Sequence, residues 1–323
     1  MMNALHLHSN LALMAAIAAA AAMGAAIQHG GTCVVAAVDQ VLSMRSAQRL
    51  AALAECSLWA AVLGMMALGA GFHFAASPSY PAGWSAAAGG AMLGFGAWLN
   101  GACVFGSIAR IGSRDWHYLL TPFGFFAGSL IHARTLGPFA THIEPRSTPD
   151  VWGLLVVLAT LSAGYSAWQL RHRRRAALWG WRHATIAIGF AFVALASLAG
   201  PWTYTEALGR AAHNGSLLAW QDAALFAALL GGAVAGGGSR PSATQFAWGR
   251  AASCAAGGAF MGFGGALVPG GNDNLILVGL PALQAHAWLA IAAMVLTIAG
   301  GLLGSREYSK MRLLRSESRA EPV

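Results

Sequence analysis

Uninterrupted apolar stretches, each about 20 residues long and so matched to the hydrocarbon thickness of a bilayer, recur along almost the whole chain. They fall at roughly 11–28, 50–75, 85–108, 117–136, 151–170, 183–200, 216–236, 251–268 and 285–304. The pattern predicts nine membrane-spanning helices and an all-α polytopic membrane protein. Charged residues sit at the joins or in the first turns of these stretches, as expected when a charge at mid-bilayer costs about 2.5–3.5 kcal/mol on insertion scales.

One pattern occurs twice. Gly89–Leu99 reads GGAMLGFGAWL and Gly257–Leu267 reads GGAFMGFGGAL, matching at seven of eleven positions at a spacing of 168. Glu55–Gly64 and Asp222–Gly231 correspond at a spacing of 167, and Asp39 falls on Glu206 in the same register. Self-similarity this extensive predicts a duplicated fold. Repeat one covers about 11–136, a connector helix and basic loop about 151–182, and repeat two about 183–304. A basic tail follows at 305–323, all within a single integral membrane domain, 1–323.

The distribution of basic residues orients the spans. With the N-terminus outside, the inner loops hold 16 of the 19 Lys and Arg, and only Arg134, Arg146 and Arg210 face outward. The positive-inside rule then predicts an N-out, C-in topology, anchored by the cluster Arg171–Arg182. Under this topology the span 85–108 and its copy 251–268 cross in opposite senses. The duplication therefore predicts two inverted-topology repeats, an architecture that places a substrate path near the midplane where the repeats meet.

Composition narrows the function classes. Hydrophobic residues make up 57% of 323 and charged residues 9%, with 41 glycines and twelve tryptophans, far from soluble usage. The +8 net charge reads as a topology signal, not a nucleic-acid one. Met1–Asn10 carries no Lys or Arg, so it lacks the basic start of a secretory signal, and the Ala-rich stretch after it is retained as the first span. Trp84, Trp116, Trp152, Trp181, Trp202 and Trp248 lie near span ends, as an interfacial belt would. Gly236-Gly237-Gly238 is followed by no Gly-Lys-Ser/Thr and reads as a loop. No nucleophile triad or paired-carboxylate motif is visible, so no enzymatic activity and no cofactor are expected.

Glycine and cysteine carry the candidate chemistry. Gly89, Gly90, Gly94 and Gly96, with Gly257, Gly258, Gly262 and Gly264, have the small-xxx-small spacing that lets helix backbones approach. Asn100-Gly101-Ala102-Cys103 and Pro269-Gly270-Gly271-Asn272-Asp273-Asn274 instead interrupt their helices. Irregular backbone at membrane depth is tolerated only inside protein or along a cavity, which makes both segments expected broken-helix ends on the pathway. Of the four cysteines, Cys33 and Cys103 each adjoin a glycine break, whereas Cys56 and Cys254 have apolar neighbours and read as small buried hydrophobes. No cysteine pair has metal-ligand spacing. His6 and His8 lack a third ligand, and His29 stands near Cys33.

The glycine-rich helix ending in Gly101-Ala102-Cys103-Val104-Phe105-Gly106, its echo from Arg250 to Asn274, and the early Gly30-Gly31-Thr32-Cys33 resemble the YeeE/YedE family of sulfur-compound membrane transporters. The resemblance spans both halves. It implies an inner-membrane permease importing thiosulfate or a related small sulfur-containing ion through a narrow constriction, with Cys33 and Cys103 contacting the substrate's terminal sulfur. With Cys33 and Cys103 carried over on this basis and the glycine breaks read as above, the expected pathway residues are Cys33, Cys103, Gly31, Gly101, Gly106, Asn100, Gly270, Gly271 and Asn272. The family pattern commonly has a further cysteine in the second repeat, where this chain has Gly271 at the position equivalent to Cys103.

A thiol is a weak donor and a polarizable contact, suited to holding a diffuse sulfur anion loosely, and weak sequential sites are what conduction requires. Without Lys or Arg at mid-span, an anion would be met by helix N-termini, backbone N–H groups and side chains such as Asn100, Asn272 and Asn274.

Glu55 and Asp222, at equivalent positions near the starts of spans two and seven, are candidates for proton coupling, or for capping or pairing with an Arg. Asp39 and Glu206 are expected to cap short re-entrant helices. Expected partners are the anion, the bilayer and a small cytoplasmic sulfurtransferase, and no nucleic acid. A sulfur-relay protein handing persulfide to that sulfurtransferase, and a carrier for an unrelated small anion, are the alternative readings.

Overall fold

The computed structural model describes residues 2–30, 32–71, 80–137, 181–238 and 246–320, together with positions 157, 160, 161 and 164. Among these residues all regular structure is helical. The helices are α1 (Met2–Gly30), α2 (Val34–Met44), α3 (Gln48–Gly69), α4 (Trp84–Asn100), α5 (Val104–Gly112), α6 (Leu120–Thr135) and α7 (Trp181–Ala199). They continue with α8 (Tyr204–His213), α9 (Trp220–Gly236), α10 (Trp248–Leu267), α11 (Asn272–Gly279) and α12 (Ala285–Ala320). A single 3₁₀ turn, Trp116–Leu119, leads into α6, and the second half of α11 is π-helical.

The chain is a membrane protein with broken helices, and among the described residues four to six spanning segments stand against the nine expected. Four segments, Asn10–Met44, Gln48–Gly69, Trp84–Gly112 and Ala285–Tyr308, are long and apolar enough to cross a bilayer. Two bent pairs, His183–Ala199 with Tyr204–His213 (44°) and Trp248–Leu267 with Asn272–Gly279 (53°), raise the total to six if each is one span. Glycine breaks divide single apolar stretches into pairs of half-helices, and α6 and α9, at 16 and 17 residues, are shorter than any of those four segments. The connector helix expected over 151–170, and the basic loop behind it, lie outside the described residues apart from the isolated positions named above.

Every helix of the first half has a counterpart about 168 residues later, from α1 and α7 through to α6 and α12. The packing repeats as well. α6 lies on α10 as α12 lies on α4; α1 pairs with α9 as α7 pairs with α3; α5 touches α9 as α11 touches α3.

The two copies of the glycine-rich helix, α4 and α10, cross each other directly. They run antiparallel with their glycines interleaved. A methyl group on Gly96 would stand 2.5 Å from the carbonyl oxygen of Gly257, and one on Gly257 would stand 2.6 Å from that of Gly96. Gly89 and Gly264 are related in the same way, at 2.7 and 2.6 Å. Lipid tails are as apolar as leucine, so such helices gain by backbone contact and dispersion and not by escape from water. A side chain at the crossing would force them apart at a cost of about 1–3 kcal/mol. The buried core, Leu93, Ala97, Phe105, Ile108, Phe125 and Met261 among others, gathers around this crossing.

Candidate functional site

The half-helices begin where the sequence breaks. At Gly101 the chain leaves α4 through the left-handed region (φ 71°), which a residue with a Cβ enters only at a cost of about 1–2 kcal/mol. Gly270 has φ 123° at the end of α10. Each turn reverses little of the chain's direction and opens a new helix, α5 behind Cys103 and α11 behind Gly271. Cys33 opens α2 in the same manner and Thr203 opens α8.

These four N-termini meet. The Val34 N–H donates to Cys103 Sγ at 3.2 Å and the Cys103 N–H donates to Cys33 Sγ at 3.4 Å, so α2 and α5 are joined by a reciprocal pair of N–H···S bonds. The Val104 N–H donates to Asn272 Oδ1 (3.2 Å), tying α5 to α11. The Tyr204 hydroxyl donates to the Val104 carbonyl (3.0 Å) and the Gly271 N–H to Thr205 Oγ1 (3.2 Å), bringing in α8. Each helix start carries unsatisfied N–H groups and about half a positive charge. A junction of several such ends therefore favours a negative guest over a positive one.

The two thiols differ in access. Cys103 is fully buried, Cys33 half-buried, and both are free. In neither case does the side chain cap its own helix; in the second half, by contrast, the Thr203 hydroxyl accepts the Glu206 N–H. Gly106 adjoins Cys33: a methyl group there would lie 2.5 Å from Cys33 Sγ.

Asn100 holds the first turn together. Its Nδ2 donates to the Ala102 carbonyl (2.7 Å) and to Ser107 Oγ (2.9 Å), and its Oδ1 accepts the Thr121 hydroxyl (3.1 Å). It is fully buried, so its three bonds bind α4, α5 and α6 into one rigid frame around Cys103.

On one side of the junction a cavity of about 790 Å³ opens between α6, α8, the α10–α11 turn and the start of α12. Its walls carry Tyr80, His132, Glu206, Arg210, His213 and His286, and Thr205, Gly270 and Asn274 separate it from the buried polar groups behind them. On another face the guanidinium of Arg250 lies against Gly101, 3.2 Å from where a side-chain carbon would begin, and bonds the Tyr118 hydroxyl. Arg250, counted with the inner-loop basic residues by its sequence position, starts in the first turn of α10, and its charge reaches the glycine turn.

Of the sequence candidates, Cys33, Cys103, Gly106, Asn100 and Asn272 come together at the junction, with Gly101, Gly270 and Gly271 forming its turns. Gly31 lies outside the described residues. Asp222 is elsewhere: it accepts the Trp202 indole N–H at 2.8 Å and pairs with Arg210, which also pairs with Glu206. Glu55 lies within α3, two turns from its start. Asp39 and Glu206 do not cap helices. Asp39 sits in the middle of α2 and pairs with Arg306 at 2.7 Å, and the cap of α8 is Thr203. Cys56 and Cys254 are buried in the core.

The sequence reading passed over Asp273. It is 2% exposed, and one of its oxygens accepts the Thr205 hydroxyl and the Asn274 N–H (2.9 Å). The signal that could have found it is its place on the first turn of a helix that follows a glycine break. Among the described residues there is no group of His, Cys, Asp and Glu able to hold a metal ion.

A family model described as sulphur transport matches residues 29–300, which takes in every element from Cys33 to the middle of α12. No curated protein matches the chain.

Proposed function

Because the chain belongs to the YeeE/YedE sulphur transport family and is built of apolar helices, it is a membrane transporter for a sulfur compound, and we propose that its cargo is thiosulfate or a closely similar small sulfur anion. The observation that carries this reading is the reciprocal Cys33–Cys103 contact at the meeting point of the half-helices. Thiosulfate presents oxygens at one end and a soft terminal sulfur at the other. Helix N-termini and Asn272 suit the oxygens, and the thiols suit the sulfur as weak donors and polarizable neighbours. The substrate enters through the cavity beside Arg210, passes the constriction formed by Cys33, Cys103 and Gly106, and leaves near Arg250.

The antiparallel, reciprocal crossing of α4 and α10 and the loop charges support an arrangement of inverted repeats, N-out and C-in, within a single domain of the bacterial inner membrane. The chain acts as a permease and not as an enzyme. The missing second-repeat thiol, Gly271, leaves contact with the substrate's sulfur to the first half. Burial of Cys103 disfavours a relay that must hand persulfide directly to a soluble partner.

Uptake of radiolabelled thiosulfate into proteoliposomes containing the purified chain tests the reading. Cys33→Ala and Cys103→Ala each abolish most uptake, and Cys56→Ala retains it. Uptake unaffected by either of the first two removes the thiol-contact mechanism. Absence of uptake together with a persulfide trapped on the purified protein would establish the relay instead.

A further inference from the structure

Asp273 places a carboxylate inside a junction otherwise suited to anions. Its Oδ1 is held by the Thr205 hydroxyl and the Asn274 N–H, while Oδ2 is buried without a partner. Next to it in sequence, Nδ2 of the fully buried Asn272 is unpartnered too, although Oδ1 of the same side chain receives the Val104 N–H. One free acceptor and one free donor, both buried, belong to consecutive residues at the start of α11, where the helix starts meet. In the first half the corresponding positions are Val104 and Phe105, so these polar groups belong to the second copy alone.

The surroundings leave the charge uncompensated. Among the described residues no Lys, Arg or His is paired with Asp273. The titratable groups that the packed elements bring to this region are Tyr204 and Glu206 on α8, Cys103 at the start of α5 and His286 on α12. Glu206 and His286 face the cavity, and Glu206 is engaged with Arg210. From α3 the contact is the Ser57 hydroxyl, donated to the Ile276 carbonyl at 2.7 Å. Between the carboxyl and the cavity stands Thr205. It lines the cavity, bonds Asp273, and is held in place by the Gly271 N–H.

We propose that Asp273 is a proton-binding site that takes up one proton from the cavity through the Thr205 hydroxyl whenever a sulfur anion passes, so that each anion is carried with one proton. This rests on the transport reading above. An ionised Asp273 and a passing anion repel strongly in a medium of low dielectric constant. Protonation at Oδ1, the oxygen that the Thr205 hydroxyl bonds, removes the repulsion and leaves the unpartnered Asn272 amide N–H as a donor for the anion. The Thr205 hydroxyl passes its proton to the carboxylate and regains one from cavity water. The carboxyl releases its proton on the far side once the anion has left, which restores the starting state.

The test uses the purified full chain in proteoliposomes loaded with a pH-sensitive dye, with radiolabelled thiosulfate added outside. Wild-type protein is expected to acidify the lumen as it takes up thiosulfate, with uptake falling by up to about tenfold per pH unit on the alkaline side of the Asp273 titration. In Asp273→Asn the remaining uptake no longer varies between about pH 5.5 and about pH 8, and no acidification accompanies it. Thr205→Val slows acidification and uptake together. Thiosulfate uptake by wild-type protein without acidification overturns the proposal whatever the variants do, as does an Asp273→Asn protein that still acidifies the lumen in step with uptake. Wild-type protein that takes up no thiosulfate at any pH overturns the transport reading and this inference with it, so the two failures are distinguishable.

Discussion

Cys33 Sγ fills the space that a side chain at Gly106 would need, with only 2.5 Å between the sulfur and the first carbon of such a side chain. The thiol that opens α2 is therefore positioned by a glycine 73 residues away in sequence, within the first turn of α5.

Gly106→Ala tests this dependence. The added methyl group must displace Cys33 or push α5 from α2, and overpacking of this kind costs about 1–3 kcal/mol. If Cys33 contacts the substrate as proposed, thiosulfate uptake is expected to fall by about tenfold or more while the protein still purifies as a folded species. Uptake within twofold of wild type would separate the position of Cys33 from transport.

Asn100→Leu, of similar volume, leaves the Ala102 carbonyl and the Ser107 and Thr121 hydroxyls without the bonds they make now. Each buried polar group stranded in this way costs about 1–3 kcal/mol, although Ser107 keeps its bond to the Cys103 carbonyl (3.0 Å). The melting temperature in detergent is expected to drop by about 2–4 °C for each kcal/mol lost, and uptake is expected to fall with it.

Arg210 and Asp222 separate steering from coupling. The Arg210 side chain is 47% exposed at the cavity and pairs with both Glu206 and Asp222. Arg210→Gln is expected to raise the KM for thiosulfate by roughly three- to tenfold at low ionic strength, with the effect shrinking toward 1 M salt, where the screening length is only about 3 Å. Asp222→Asn weakens a pair of the exposed kind worth about 0–1 kcal/mol and keeps its Trp202 contact, so uptake and its pH profile are expected to stay within about twofold of wild type. A lost pH profile in Asp222→Asn would move the coupling role to that residue.

Much of the architecture was legible because it follows from rules that act along the chain. Apolar length marks helices, glycine and proline clusters mark breaks, and a copied string such as GGAMLGFG marks duplication. The same rules led to Cys33, Cys103 and Asn100, which all border glycine breaks. Asp273 was missed because its significance lies in Thr205, 68 residues earlier, and in an oxygen left without a partner, neither of which has a period or a motif. Arg250 was assigned to a loop by the position of its backbone, yet a long side chain carries its charge well away from there, as far as Gly101. Asp39 and Arg306 meet across 267 residues, a relation that no local pattern encodes. Hydropathy marks an apolar stretch without giving the length of its helix, so 117–136 and 216–236, expected as spans, hold helices of 16 and 17 residues, and four to six spanning segments stand among the described residues.

The contact between α4 and α10 is self-complementary: Gly96 and Gly257, and again Gly89 and Gly264, each rest on the other's carbonyl oxygen. A surface that fits its own copy needs no second sequence to recognise, so half of this chain already holds everything the interface requires. The twins keep this contact while the residues beside it differ: Cys103 stands in the first half where the second has Gly271, and Asp273 in the second where the first has Phe105.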